Sequence, residues 1–224
     1  MSKQEQTLEQ WAGASKMQLA LLFTDIIGST ALVAKYGDDE WVEMLIHHFK
    51  RARQLRDACD CYEVKLIGDA YMVVFRTADI ALRFASYLIL DPGHPEIEIR
   101  AAIHVGSVRI IENDIYGLMV NYVSRLISTA GDIPTIVVSD HAYASIISSI
   151  GNTGRQLFRP YDADLKSFGK EPAWKYINAS VDGQLALPQR KKIKQSDFLN
   201  PSPVSRELFT TPFFIYPKPE DDRK

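Results

Sequence analysis

The chain has 224 residues, of which 46% are hydrophobic and 24% charged, and its formal net charge at pH 7 is -2. Such a composition is typical of a globular protein, and the length suits one ordinary domain with an appendage. The balanced charge gives no indication of a nucleic acid partner. No apolar run approaches the roughly 20 residues of a membrane span, so we expect no membrane span.

The N-terminus lacks the apolar stretch of a signal peptide, so we expect a cytoplasmic protein. The two cysteines, Cys59 and Cys61, stand too close together for an ordinary disulfide, which fits a reducing compartment. The five histidines show no metal-ligand spacing, and we expect them to be structural.

The first half of the chain predicts alternating strands and helices. The run 19–25 is an apolar strand that ends in Asp25, and Ser29 and Thr30 after Gly28 suit helix caps. Two apolar β-prone runs flank Gly68-Asp69, which indicates a tight hairpin. We predict a helix over 39–58, strands over 62–67 and 71–75, and a helix over 77–90.

The second half continues this pattern until about residue 180. We predict a strand or bent strand pair over 97–111, a helix over 117–130, a strand over 135–139, a helix over 139–148 and a closing hairpin over 165–179. Helices that alternate with strands around a hairpin indicate an α+β or α/β sandwich. The predicted organisation is a polar segment over 1–17, a folded body over 18–180 and a Pro-rich, charged tail over 181–224.

Two aspartates stand at the ends of predicted strands. Asp25 precedes a Gly28 loop and a helix N-terminus, whose free N–H groups favour phosphate. Asp69 lies at the tip of the hairpin, whose strands we expect beside the first strand. Each aspartate alone also fits a turn or cap residue. Together, above a phosphate loop, the two carboxylates suit a pair of divalent cations.

The segment 114–130 contains the helix predicted over 117–130, which is amphipathic. Its buried stripe would consist of Val120, Val123, Ile127 and Ala130. Asn121 and Arg125 are spaced i, i+4 and share the other face. An arginine there can steady phosphate charge, and an asparagine can hold a sugar oxygen. Taken alone, the pair also fits a solvated polar face.

These stretches together resemble the catalytic domain of class III nucleotide cyclases, the adenylate and guanylate cyclase family. The resemblance runs from about 18 to 178, in the family order. The matching stretches are LLFTDIIGST, YEVKLIGDAYMVVF, IRAAIHVGSV, DIYGLMVNYVSRL and LKSFGKEPAWKYI. The resemblance implies a ferredoxin-like, palm-type α+β fold with helices packed on a mixed, mainly antiparallel sheet.

The resemblance also implies roles for individual residues. Asp25 and Asp69, with the carbonyl of Ile26, would bind two Mg²⁺ or Mn²⁺ ions. The remaining roles are base reading by Lys65 and Asp114, catalysis by Asn121 and Arg125, and triphosphate binding by Gly28, Ser29, Thr30 and Lys166.

The implied reaction is attack of the ribose 3′-hydroxyl on the α-phosphorus of a nucleoside triphosphate, with release of pyrophosphate. The family implies a head-to-tail homodimer with shared sites. Asp25 and Asp69 would come from one protomer, and Lys65, Asp114, Asn121 and Arg125 from the other. A regulatory module with a dead site is the non-enzyme alternative, and the intact aspartate pair argues against it.

The identity of the base stays open at this point. Lys65 as donor and Asp114 as acceptor complement adenine, which favours ATP, but cytosine offers the same order of groups. Bulky Tyr122 and Val123, where smaller residues are common in the family, would shrink the base pocket. The alternative is therefore a pyrimidine cyclase that makes cyclic CMP or cyclic UMP in bacterial antiphage defence.

Overall fold

A computed structural model of the protein describes residues 6–177. Within this range the chain forms six α-helices and eight β-strands. Their order is α1 (Leu8–Ala12), β1 (Lys16–Ile26), α2 (Ser29–Tyr36), α3 (Asp38–Ala58), β2 (Cys61–Ile67), β3 (Ala70–Phe75), α4 (Ala78–Leu90), β4 (Ile99–Ile111), β5 (Asp114–Tyr116), α5 (Leu118–Leu126), β6 (Ile136–Ser139), α6 (Asp140–Ile150), β7 (Phe158–Leu165) and β8 (Gly169–Tyr176).

The strands form a single mixed sheet in the order β2-β3-β1-β4-β6-β8-β7, and β5 pairs with the far end of β4. Only the β4–β6 pair is parallel among the described strands, and the other pairs are antiparallel. The predicted α+β class with a mixed, mainly antiparallel sheet is therefore confirmed.

Strand β1 is buried on both faces of the sheet. Ala20 and Leu22 face the core formed with α3, α4 and α6, whereas Leu19, Leu21 and Phe23 face the core formed with α1 and α5. Because side chains alternate along a strand, the apolar run from 19 to 23 fills both layers at once. The polar residues of β1 are thereby restricted to its ends.

Two predicted elements have different limits in the structure. The helix predicted over 117–130 is α-helical only to Leu126 and continues as a 3₁₀ turn over Ile127–Thr129. The closing hairpin begins at Phe158, earlier than expected. Strand β7 lies at the sheet edge, where a proline such as Pro160 and outward polar residues are tolerated, so its sequence lacks an obvious strand pattern.

The N-terminal segment packs on the body of the protein. In α1, Leu8 is fully buried and Trp11 nearly so, and both join the core beside α5. The division of the chain at residue 17 stays a prediction, but the packed region includes this helix. The predicted tail over 181–224 lies outside the described residues. Among residues 6–177, no helix combines the length and apolar character needed to cross a bilayer.

Removal of the Phe84 ring should destabilise the fold strongly. Phe84 is 1% exposed, and its ring lies 5.4 Å from that of Phe75 and 6.3 Å from that of Tyr71. We expect Phe84→Ala to lower the free energy of unfolding in urea by about 3–5 kcal/mol. The exposed Ile133 serves as the control, and Ile133→Ala should cost less than about 0.5 kcal/mol. Equal losses in both variants would contradict this core assignment.

Candidate active site

Asp25 lies at the end of β1, opposite Arg100 of β4. Arg100 donates through Nε and Nη2 to Oδ2 of Asp25, at 2.9 and 2.6 Å. Its Nη1 donates to the carbonyl of Gly131 at 3.0 Å and to the Asp132 carboxylate at 3.2 Å. The guanidinium therefore joins the end of the sheet to the segment that follows α5, and it compensates the charge of Asp25.

Asp69 lies at the tip of the β2–β3 hairpin, directly after Gly68, whose φ of 63° requires a glycine-like conformation. Strands β1 and β3 pair up to Thr24 and Tyr71, so continuing their register places Asp69 beside the end of β1. The residue is half-buried, yet its Oδ2 atom is fully buried without a hydrogen-bond partner among the described residues. Its charge is thus not compensated by an ion pair within residues 6–177.

The loop after β1 prepares a helix N-terminus for an anion. Gly28 is the N-cap of α2, with φ of 66°, and no side chain caps the helix. The expectation that Ser29 and Thr30 cap this helix is therefore wrong: both lie in its first turn. A Cβ at Gly28 would meet no heavy atom within 4 Å, so space is open above the terminus. Uncapped N–H groups with open space above them suit a phosphate group.

Lys65 and Asp114 form an ion pair between β2 and β5. The Lys65 ammonium lies 2.5 Å from Oδ2 of Asp114. Oδ1 of Asp114 accepts the N–H of Ile115 at 2.8 Å, which orients the carboxylate. The neighbouring Asn113 uses its Oδ1 to accept the N–H of Leu8, at 2.9 Å. Asp114, and not Asn113, is therefore the acid that faces Lys65.

Helix α5 presents Asn121 and Arg125 on its exposed side. Its inner side packs on the sheet through Met119, Val123 and Leu126, so Val120 is a flank residue and not part of the buried stripe. Neither Asn121 nor Arg125 makes a side-chain hydrogen bond or ion pair within residues 6–177. Both side chains are therefore exposed and unpaired within the described residues.

Lys166 lies in the turn between β7 and β8. The same turn places the Phe168 ring 5.2 Å from the ring of Tyr122 on α5. The hairpin tip is therefore next to the helix that carries Asn121 and Arg125. Lys166 itself is exposed, as expected for a residue that meets a ligand from outside.

The predicted residues thus form two sets. The carboxylate set, with Asp25, Ile26, Asp69 and the Gly28–Thr30 terminus, lies at one end of the sheet. The outer set consists of Lys65, Asp114, Asn121, Arg125 and Lys166. No hydrogen bond or ion pair joins the two sets in the described part of the chain.

Comparison with known families identifies the domain. Residues 13–159, more than half of the chain, match the family model of the adenylate and guanylate cyclase catalytic domain. The chain belongs to this family. It is 28% identical to guanylate cyclase soluble subunit beta-2 of Rattus norvegicus over 193 residues, 75% of this chain and 27% of that protein. It is 30% identical to an adenylate cyclase of Streptomyces coelicolor over 115 residues, 50% of this chain and 30% of that protein.

Solved cyclase domains share the fold of this chain. The guanylate cyclase domain of RhGC from Catenaria anguillulae, solved with GTP, superposes with a TM-score of 0.61 at 22% identity, covering 75% of this chain and 100% of that one. An adenylate cyclase from Trypanosoma brucei gives a TM-score of 0.59 at 22% identity, covering 78% of this chain and 92% of that one. The chain spans less than a third of the length of the two curated relatives described above.

The carboxylate set of the cyclase domain fits a divalent cation that is also bound by a ligand. Within residues 6–177 no group of three His, Cys, Asp or Glu side chains forms a metal site by itself. Asp69 nevertheless offers a carboxylate without a counter-charge. Ile26 has an apolar side chain, so only its backbone carbonyl can bind a cation. Two carboxylates, one carbonyl and phosphate oxygens form the hard oxygen set that Mg²⁺ and Mn²⁺ favour.

Arg100, which forms an ion pair with Asp25, is a residue that sequence reasoning missed. In the sequence it is one charged residue at the start of an apolar strand. Its importance depends on the β1–β4 register, which pairs it with Asp25. The alternation of β4 does indicate that a polar side chain stands at the strand end, but it does not indicate the partner.

Tyr122 and Val123, the two bulky residues expected to shrink the base pocket, differ in burial. Val123 is fully buried in the core. The Tyr122 ring packs 4.3 Å from the ring of His104, which burial keeps neutral by lowering its pKa to about 4. Val123 is therefore a core residue, whereas Tyr122 keeps an exposed part, and its effect on a base pocket stays a prediction.

Alanine at Gly28 should weaken nucleotide binding beyond its effect on folding. Gly28 and Gly13 both have positive φ, and a Cβ at either meets nothing within 4 Å. Each alanine variant should cost about 1–2 kcal/mol of stability through backbone strain. Only Gly28→Ala places a methyl group at the N-terminus of α2, so we expect the affinity of this variant for a non-reactive ATP analogue to fall about tenfold. Equal affinity in the two variants, measured by calorimetry with Mn²⁺, would contradict the phosphate assignment.

Proposed function

We propose that this domain converts a nucleoside triphosphate, with ATP favoured, into the 3′,5′-cyclic monophosphate and pyrophosphate. The observation that carries the proposal is that one chain of the cyclase family has the expected residue type at every proposed position of the carboxylate set and of the outer set. A copy that had lost catalysis would be expected to have lost at least one of them. The implied partners are the triphosphate substrate and a second copy of the chain.

The carboxylate set would hold the triphosphate together with two divalent cations, Mg²⁺ or Mn²⁺. Bound there, the cations would supply charge neutralisation and a more acidic 3′-hydroxyl. Asp25, Asp69 and the Ile26 carbonyl provide the ligands. The N–H groups of the Gly28–Thr30 terminus orient the phosphates. Arg100, which lies on Asp25, adds a positive charge at the same end of the sheet.

The outer set would act on the reacting part of the same nucleotide. Negative charge grows on the phosphoryl oxygens in the transition state, and the guanidinium of Arg125 is suited to stabilise it. Asn121, one helical turn away, would fix the ribose by a hydrogen bond. Lys166 adds a cation from the neighbouring hairpin tip. None of these side chains is committed to another described residue, so each is available to a ligand.

A homodimer explains why the two sets are separate on one chain. Asn121 and Arg125 face outward, so they would serve a nucleotide held by the carboxylate set of a second copy. Exposed apolar residues lie near the Lys65–Asp114 pair, as a protein interface requires. They are Leu66 at 36% exposure, Ile67 at 49%, Ile111 at 46%, Tyr116 at 51% and Leu118 at 71%. In a head-to-tail pair, both sites would be complete.

The Lys65–Asp114 pair supports adenine as the preferred base. A lysine donor beside a carboxylate acceptor complements the N1 acceptor and N6 amino group of adenine. Guanine presents O6 and N1–H and would face the wrong order of groups. Because the pair is already formed in the protein, the lysine donor and the carboxylate acceptor lie side by side before the base binds.

A pyrimidine cyclase that makes cyclic CMP or cyclic UMP in antiphage defence is the second candidate. Cytosine offers N3 and an N4 amino group in the same order as adenine, so the Lys65–Asp114 pair accepts CTP as well. Uracil inverts the order of the groups and would need a rearranged contact. The bulk of Tyr122, which is half-buried, would also favour a smaller base.

A nucleotide panel tests the activity and the base together. The purified protein is incubated with Mn²⁺ and each of ATP, GTP, CTP and UTP, and the products are identified by mass spectrometry. We expect cyclic AMP as the main product, and Asp69→Ala should abolish it while leaving the fold nearly intact, since Asp69 lies at a hairpin tip. Cyclic CMP or cyclic UMP as the main product would select the second candidate, and no cyclic product would refute the proposal.

Mixing inactive variants tests the shared site. Asp69→Ala damages the carboxylate set and Arg125→Ala damages the outer set, so a mixed dimer keeps one complete site. Random exchange at equal amounts should restore about a quarter of wild-type activity, because half of the dimers are mixed and one of their two sites works. Asp69→Ala mixed with Asp25→Ala damages the same set twice and should restore nothing. Absence of recovery in the first mixture, with exchange verified by labelled subunits, would refute the shared site.

A further inference from the structure

Helix α3 carries a buried histidine whose second ring nitrogen has no partner. His48 is 0% exposed, and its Nδ1 lies 2.8 Å from the carbonyl oxygen of Pro92. Because a carbonyl only accepts, Nδ1 must carry the proton, and Nε2 then presents a lone pair to the protein interior. No described residue donates to that Nε2 atom. A buried acceptor without a donor is unfavourable and calls for a physical reason.

Two further unpartnered polar atoms lie at the same end of this core. Thr24, directly before Asp25 on β1, is fully buried, and its hydroxyl has no partner among the described residues. The Asp69 oxygen Oδ2 is buried in the same way. Thr24 pairs in register with Tyr71, two residues after Asp69, and belongs to the face of β1 on which α3 packs. The three atoms therefore approach the hairpin tip from β1, from α3 and from the hairpin itself.

The charge of Asp69 affects the pKa of His48. Burial lowers the pKa of His48, and the hydrogen bond to Pro92 and the nearby Asp69 carboxylate oppose that shift. The carboxylate and the imidazole are thus close enough to interact across the interior. A cation on the accessible side of the half-buried Asp69 would balance its charge, but the buried oxygen would still lack a hydrogen-bond donor.

The three atoms complement one another chemically. Nε2 of His48 and Oδ2 of Asp69 only accept, whereas the Thr24 hydroxyl both donates and accepts. Because none of the three atoms is hydrogen-bonded to another, an internal water between them would donate to the two acceptors and accept from the Thr24 hydroxyl, and a buried polar site with two to four partners suits a water. Such a group would restrain the Asp69 carboxylate through its buried oxygen, Oδ2.

We propose that His48, with Thr24, is a positioning residue for Asp69, and that their buried hydrogen-bonded group holds the carboxylate in the orientation in which it binds a divalent cation. The inference rests on the proposed function, because it assigns Asp69 to metal binding. Residues that orient a metal ligand by a hydrogen bond commonly change the metal affinity by 10–100-fold when they are removed. His48 would act through Asp69 and would not touch the nucleotide.

Two variants test the proposal by metal affinity, measured by electron paramagnetic resonance of Mn²⁺ with a non-reactive ATP analogue. His48→Asn keeps an N–H close to Nδ1 for Pro92 and removes Nε2. Thr24→Val removes the hydroxyl at nearly constant shape. We expect each to weaken Mn²⁺ binding about tenfold or more, and the double variant to weaken it by less than the product of the two effects. If one variant fails to fold, the other still carries the test.

His104→Asn is the matched control. His104 is also a buried histidine, 8% exposed, and its Nδ1 is 2.8 Å from the hydroxyl of Ser139. It lies on β4 opposite Leu21, in the middle of β1, whereas Asp69 lies beside the end of β1. This variant should lower stability without changing Mn²⁺ affinity. Excess Mn²⁺ should also restore the kcat of His48→Asn and Thr24→Val, whereas it should not restore Asp69→Ala.

The outcomes separate the inference from the function on which it rests. Wild-type affinity for Mn²⁺ in both folded variants would overturn the positioning role and leave the cyclase proposal standing. A wild-type protein that binds no Mn²⁺ with the analogue would overturn both. If His104→Asn lowers Mn²⁺ affinity as much as His48→Asn does, the effect comes from a general loss of packing. That result would also overturn the positioning role.

Discussion

The hydrogen bonds that hold β1 between β3 and β4 determine the position of every group in the carboxylate set. Antiparallel pairing on both sides places Asp25 opposite Arg100 and continues towards Asp69 at the hairpin tip. The apolar interior of β1 makes this register difficult to change, because a slip of one residue would turn Leu21 and Leu22 to the wrong layers. The strand thus places Asp25 at its own end, and its pairing with β3 brings the hairpin turn with Asp69 beside it.

The charges at this end of the sheet are balanced unequally. Asp25 has Arg100, whose guanidinium also contacts Asp132, while the described residues provide Asp69 with no counter-ion. Bringing a carboxylate oxygen out of water without a donor is unfavourable, so the fold keeps this group at a cost. A site that binds cations together with phosphates gives that cost a functional reason, and the buried His48 and Thr24 would limit how the carboxylate can turn.

Helix α5 explains why a single chain carries a divided site. Its inner side, with Val123 and Leu126, is required for the second core, so the polar residues one turn apart are forced to the outside. The Lys65–Asp114 pair lies among exposed apolar residues, and exposed apolar surface of this kind favours burial against another protein. The same amphipathic pattern that stabilises the protomer therefore leaves Asn121 and Arg125 on the surface, where the proposed dimer would use them.

The sequence by itself determined the elements and the chemical types at their ends. The apolar periodicity of 19–25 and 39–58 predicts β1 and α3, Gly68-Asp69 predicts the hairpin, and the i, i+4 spacing of Asn121 and Arg125 predicts their common face. These features are local, so propensity and pattern suffice. The tertiary structure alone decided the pairing of Arg100 with Asp25, the packing of Tyr122 on His104, the edge position of β7 and the approach of His48 to the hairpin tip. Each of these depends on which distant segments lie side by side, and that is set by strand register and helix packing across the whole sheet, which no local pattern encodes.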